Sequence, residues 1–302
     1  MAVDLTLMAP LRLGATIVPV MNLTRNPGEQ STAIEHSGLP FASGRIVNSR
    51  APTVTFTTFF KTAWDLIGSK ITRFTVLDTF NRTFTNAAAD ASGHSVSLKT
   101  GAQVFAHIDS ISEGPGELLM ANVTCHIVSG GALSGLEDLF AAPASVAIPT
   151  VAAEPVYHRR GSISVNGEVI PGVTSLSVDL GQRAVTLAPT DGLTYPEAVI
   201  YDGGERSISV GMDGAKDAYD EITMIGQGID PSVIVYFREV TRNGEAKANG
   251  GSFTIANGRV TIDPMNDSMR SQTTTTININ AYNTALNQDD PLAVSFAVAS
   301  VP

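Results

Sequence analysis

The stretch Lys61-Thr-Ala63-Trp64-Asp65-Leu-Ile67 occurs a second time, 155 positions on, as Lys216-Asp-Ala218-Tyr219-Asp220-Glu-Ile222. Ala63, Trp64 and Ile67 have the spacing of an apolar stripe on a short helix lying against a sheet, and Ala218, Tyr219 and Ile222 repeat it. Lys61 and Asp65 stand four apart, as do Lys216 and Asp220, which suits surface pairs contributing about 0.2–0.5 kcal/mol each. Upstream, Ile17-Val18-Pro19 is echoed by Val169-Ile170-Pro171, 152 positions on. Downstream, Ile108-Asp109 is echoed by Ile262-Asp263, 154 positions on. Three correspondences in one order with a nearly constant offset point to an internal duplication.

The flanking segments read as strands. Val123, Cys125 and Ile127 alternate with Asn122, Thr124 and His126, and Ile277, Ile279 and Ala281 alternate with Thr276, Asn278 and Asn280. Successive strand side chains point to opposite faces, so each run predicts a half-buried strand. Each half is expected to run in the same order. A strand (Ala15–Thr24; Glu168–Val178) leads into a long polar segment (Arg25–Arg50; Gly181–Gly204). A second strand follows (Thr53–Phe60; Arg206–Met212), then the short helix and a third strand (Ile71–Phe80; Val233–Thr241). A pair of strands closes each unit: Gln103–Ser110 with Leu118–Val128, and Phe253–Asp263 with Thr273–Tyr282. Gly114-Pro115-Gly116, Asn243-Gly244 and Asn257-Gly258 mark the turns. The class predicted is mainly β: two tandem β-sandwich or barrel units, each with a short flanking α-helix.

The boundaries are set at 1–130 for the first unit, 131–160 for an Ala/Pro-rich linker with Pro143, Pro149 and Pro155, and 161–302 for the second unit. Leu292–Val298 has the composition of a final strand. Long loops inside a compact unit are usually functional or ordered by a partner. Leu39, Phe41 and Ile46 in one segment, and Tyr195, Val199 and Tyr201 in the other, supply apolar groups for contact with a neighbouring subunit. For Lys61, Trp64, Asp65, Lys216, Tyr219 and Asp220 the sequence allows core packing or a subunit seam.

Composition narrows the function. Hydrophobic residues at 43% support a core, and charged residues at 16% are too few for a disordered chain. Lys+Arg at 19 against Asp+Glu at 29 leaves a net charge of −10, which disfavours tight gripping of nucleic acid. The lone Cys125 excludes an intrachain disulfide and a cysteine-built zinc site. The first twenty residues carry Asp4 and Arg12 between short apolar pieces and lack the pattern of a signal peptide, so an intracellular, soluble chain is expected.

No catalytic constellation emerges. Gly68-Ser-Lys70 lacks the glycine spacing of a P-loop, and Gly226-Gln-Gly228 is followed by Ile229-Asp-Pro231 instead of a third glycine. Gly-x-Ser-x-Gly does not occur. His36, His94, His107, His126 and His158 are scattered; His107 and His126 could meet across a hairpin, where a polar strand face explains both. Asp109 and Asp263 hold matching positions and read as turn-forming or strand-ending residues, while Asp289-Asp290 before Pro291 reads as a solvated turn. The expectation is a non-enzyme with no metal and no cofactor.

Strand, long loop, strand, short helix carrying Lys-x-Ala-Trp/Tyr-Asp, then more strands, twice over, resembles the major tail tube proteins of long-tailed, siphovirus-type bacteriophages, across roughly Ala15–Gly130 and Gly161–Tyr282. The resemblance implies tube-like domains related to the tubes of contractile tails and type VI secretion. It implies homotrimers that form pseudo-hexameric rings and stack into a tail tube, a conduit for DNA. Segments 25–50 and 181–204 would then be the arms that reach the adjacent ring. Implied partners are further copies of the chain and other tail proteins: tape measure, terminator and distal tail protein. DNA would pass through the bore without tight binding, no membrane would be involved, and the location would be the virion tail after assembly in the host cytoplasm. Two other readings stay open: a tandem β-sandwich module binding carbohydrate or protein, and a related tail terminator or distal tail protein.

Overall fold

Alternating apolar and polar residues build a molecule that is mainly strand. The computed structural model describes residues 5–34, 44–84, 91–113, 118–129, 139–151, 153–170, 172–187, 195–213, 232–262, 266–268, 271–282, 290–299 and 301–302. The first half contains β1 (Leu5–Leu13), β2 (Thr16–Val18), β3 (Asn22–Asn26), β4 (Glu29–Ile34), β5 (Gly44–Arg50) and β6 (Thr53–Phe59). It continues with α1 (Phe60–Ile67), β7 (Thr72–Phe74), β8 (Leu77–Phe84), β9 (Ala91–Ser97), β10 (Gln103–Glu113), β11 (Leu119–Val128) and β12 (Ala144–Ser145). The second half contains β13 (Tyr157–Val165), β14 (Glu168–Ile170), β15 (Val173–Asp179), β16 (Gln182–Thr186), β17 (Val199–Gly203) and β18 (Arg206–Asp213). It ends with β19 (Val233–Val240), β20 (Ala246–Ile255), β21 (Gly258–Ile262), β22 (Asn266–Ser268), β23 (Ser271–Ala281) and β24 (Leu292–Val298).

Among the described residues all strand pairs are antiparallel, and the strand order of the first half recurs in the second. One five-stranded sheet runs β2-β1-β8-β9-β12 and the other β14-β13-β19-β20-β24. The ten-stranded sheet runs β21-β23-β18-β15 and then β10-β11-β6-β3, the same four-strand order written twice, with β22 added beside β23 and β7 beside β10. The correspondence holds residue by residue. Leu11 lies opposite Thr79 and Ile163 opposite Val235; both pairs directly follow a bulge, at Met8/Leu11 and at Arg160/Ile163. Val123 pairs with Phe56 and Ile108, and 154 positions on Ile277 pairs with Val210 and Ile262.

The long polar segments contain regular strands among their described residues. Each folds as a separate two-stranded ribbon, β4 with β5 and β16 with β17. The β-branched residues Ile46, Val47, Val185, Val199 and Ile200 fit pleated backbone, which explains the pairing. Both ribbons are rooted alike. Gly28 and Gly181 sit at φ +57° and +59°, their N–H groups donate to Asn26 Oδ1 (2.9 Å) and Asp179 Oδ1 (2.7 Å), and a Cβ at either would collide with a backbone carbonyl.

Other departures are local. The turn at Asn257 splits the segment 253–263: β20 ends at Ile255 in a five-stranded sheet, and β21 starts at Gly258 in the ten-stranded one. Asp109 sits at a bulge within β10 and not at its end, which accommodates the register shift between Ile108 and Ser110. The stretch 131–160 includes β12, which pairs with β9, and the start of β13.

Candidate functional site

The sequence directs attention to the repeated helix, and the structure places that helix between the two halves of the chain. Phe60 is its first residue and not the end of the preceding strand; Phe59 at the N-cap is extended and offers no side-chain cap. Phe60, Ala63 and Ile67 are its buried face, while Trp64 is half-buried and packs at 5.9 Å edge-on to Phe60. Phe60 is fully buried, and its neighbours come from the second half: Phe237 at 5.4 Å, Phe253 at 5.3 Å and Phe296 at 5.2 Å between ring centres. His158 completes this aromatic cluster at 5.2 Å from Phe237. Lys61 pairs with Asp65 and also stands over the Phe296 ring at 4.7 Å. Lys216, Tyr219 and Asp220 lie outside the described residues.

Backbone pairing continues the joint. Ser110, Ile111 and Ser112 of β10 lie opposite Asp179, Val178 and Ser177 of β15, which makes one sheet of the two halves. Ile111 and Val178 are fully buried there. Beside them Arg160 Nη1 donates to Glu113 Oε2 at 2.7 Å, with side-chain exposures of 20% and 15%. Arg160 Nε also donates to the Val173 carbonyl, which anchors the guanidinium before it meets the carboxylate. Phe59 contacts Tyr157 edge-on at 5.0 Å, and Arg50 Nη1 donates to the Tyr195 hydroxyl at 3.2 Å. Apart from the Arg160–Val173 bond, which lies within the second half, each of these contacts crosses from the first half to the second.

The predicted arm residues separate into distinct environments. Tyr195 is buried against the first half, Val199 is half-buried, and Tyr201 is 50% exposed near the equally open Val185 and Ile200. Ile46 lies in β5, whose side chain at that position is outside the description, and Leu39 and Phe41 lie outside the described residues. Sequence reasoning missed Phe60 as a helical residue and missed Glu113, Arg160, Phe237 and Phe253 as joint residues. The nearly equal offsets of β10 with β21 and of β3 with β15 were the available signal.

His126 and His158 sit where their protonation opposes folding. His107 and His126 stack at 5.4 Å, and His107 Nε2 lies 2.8 Å from Asp109 Oδ1. Among the described residues no group of three or more His, Cys, Asp or Glu side chains is arranged to hold a metal. Burial, with the nearby His107 charge, lowers the His126 pKa to about 4, and burial in the aromatic cluster lowers that of His158 to about 4. An unfolded histidine titrates near 6.5, so acid protonates the unfolded state first. Stability should be level above about pH 6.5 and fall as the pH drops towards 4. Thermal melts across that range check this, and His158→Phe should flatten the slope whatever its effect on the absolute midpoint. Comparison of the chain with protein-family models and with curated proteins finds no match.

Proposed function

We propose that this chain is a structural subunit of a bacteriophage tail tube, in which three copies close into a ring and rings stack into a conduit for DNA. The observation that carries this reading is the joint between the halves. The first half meets the second through β10 and β15, and the sheet then ends in β3 on one side and β21 on the other. By register β3 is the counterpart of β15 and β21 the counterpart of β10. Each molecule therefore carries, on opposite ends, the two surfaces that its own halves already join. A head-to-tail contact of this kind repeats from copy to copy, and it closes a ring when the rotation divides the circle. Three chains then contribute six halves to the circle.

Two further features support the reading. Exposed Val185, Ile200 and Tyr201 on the second ribbon offer apolar contact to a stacked ring. The net charge of −10 keeps phosphate from adhering while DNA slides past. Mass photometry combined with negative-stain microscopy tests the proposal. Trimers, rings with a central hole and stacked tubes are expected. Monomers at every concentration and salt level would overturn it and favour a tandem binding module.

A further inference from the structure

The internal joint supplies the register of the joint between copies. β22 extends β21 along β23, with Asn266 opposite Thr274, and Ser112 lies opposite Met120 in the first half; both members of the second pair stand 154 positions before the first. Asn266 therefore holds the place of Ser112, and Asp267, 154 positions after Glu113 in the sequence, follows it at a register shift that ends before Ser268. On the other strand, Leu23 and Arg25 pair with Phe56 and Val54, just as Leu176 and Val178 pair with Val210 and Ile208. Arg25 thus holds the place of Val178, and Thr24 that of Ser177. The internal pair Ser112–Ser177 transfers to Asn266 and Thr24.

Charge placement fits this transfer. At the internal joint an acid on β10, Glu113, meets Arg160 from β13, and the β15 position is the apolar Val178. At the outer ends the acid is kept as Asp267, whereas the counterpart of Arg160 is Met8, which occupies the same place before the β1 bulge. The cation has moved to the β3 position, where Arg25 replaces Val178. Residues diagonal across an antiparallel pair lie about 7–8 Å apart, within reach of a long side chain, and Asp267 would be diagonal to Arg25. Arg25 is prepared for such a partner. Its Nε and Nη2 are buried and make no hydrogen bond among the described residues, and it lines an open cavity of about 790 Å³ together with Asn26, Glu29, Leu139 and Tyr195. Buried guanidinium nitrogens without an acceptor are costly, so an arriving carboxylate gains a charge-assisted bond.

Resting on the ring reading, we propose that neighbouring copies join by antiparallel pairing of β3 on one copy with β22 on the next, Thr24 opposite Asn266, sealed by an ion pair between Arg25 and Asp267 of the next copy. The occupant of the Arg25 cavity is thus a second copy of this chain.

The test combines Thr24→Cys with Asn266→Cys in the full-length chain under mild oxidation; Cys125 is buried and stays silent. A non-reducing gel should show covalent dimers and then trimers, with no larger closed species. In parallel, Arg25→Glu or Asp267→Arg alone should raise the concentration needed for ring formation at least about tenfold, and the double reversal should bring it back to within about threefold of wild type. Wild-type rings that neither cross-link through these cysteines nor respond to charge reversal overturn this register and leave the ring reading intact. Absence of rings in the wild type overturns the ring reading itself, and this inference with it.

Discussion

Phe60→Ala is expected to lower the stability of the chain by about 3–5 kcal/mol, the largest effect of any single side chain in the α1 region. Phe60 has no exposed surface, and rings from three strands of the second half press on it. Its removal leaves a cavity whose walls are β19, β20 and β24, elements fixed by their own hydrogen-bond ladders and unable to collapse inward. Half-buried Trp64 is the internal comparison: Trp64→Ala keeps the joint closed and should cost clearly less. Urea titration at neutral pH measures both, and a loss below about 1 kcal/mol for Phe60→Ala would contradict a joint held by this cluster.

Glu113→Ala is the second large effect. It removes the Glu113 carboxylate from a mostly buried Arg160 guanidinium, and breaking such a desolvated pair from one side costs about 3–5 kcal/mol. The apolar double substitution Glu113→Leu with Arg160→Met should recover most of that loss, because stranding one charge costs more than replacing both. Denaturant midpoints for the two singles and the double form the cycle. A double variant no more stable than Glu113→Ala would assign the loss to packing at β10 and not to the stranded charge.

What the sequence discloses is what repeats with a short period. The alternation of Val123, Cys125 and Ile127 marks β11, and the same alternation 154 positions on marks β23, because a strand with one wet face must alternate. The helix showed itself in the Lys-x-Ala-Trp-Asp stripe, yet its first residue did not. Thr53–Phe59 is a β-prone run that passes straight into Phe60, and the N-cap position is Phe59, not a Ser, Thr, Asp or Asn that would signal a helix start. The ribbons were hidden for a related reason: their polar composition resembles loop, and only the pairing partner turns it into strand. The joint was the least visible part. Glu113 and Arg160 lie 47 residues apart, and Phe60 is far from Phe237 and Phe296 in the chain, so no local pattern announces their meeting. Matching registers, once known, make the outer ends readable from the inner joint.

The interlocked sheet also bears on the birth of the molecule. Phe60 and the free edge of β10 are finished early in synthesis, but the strands that cover them, β15, β19, β20 and β24, are still to be made. At elongation rates of about 5–20 residues per second, the nascent first half waits roughly 8–30 s with an apolar ring and an unpaired strand in contact with water. That interval is when a chaperone would matter most, and when two unfinished chains on one messenger could trade halves.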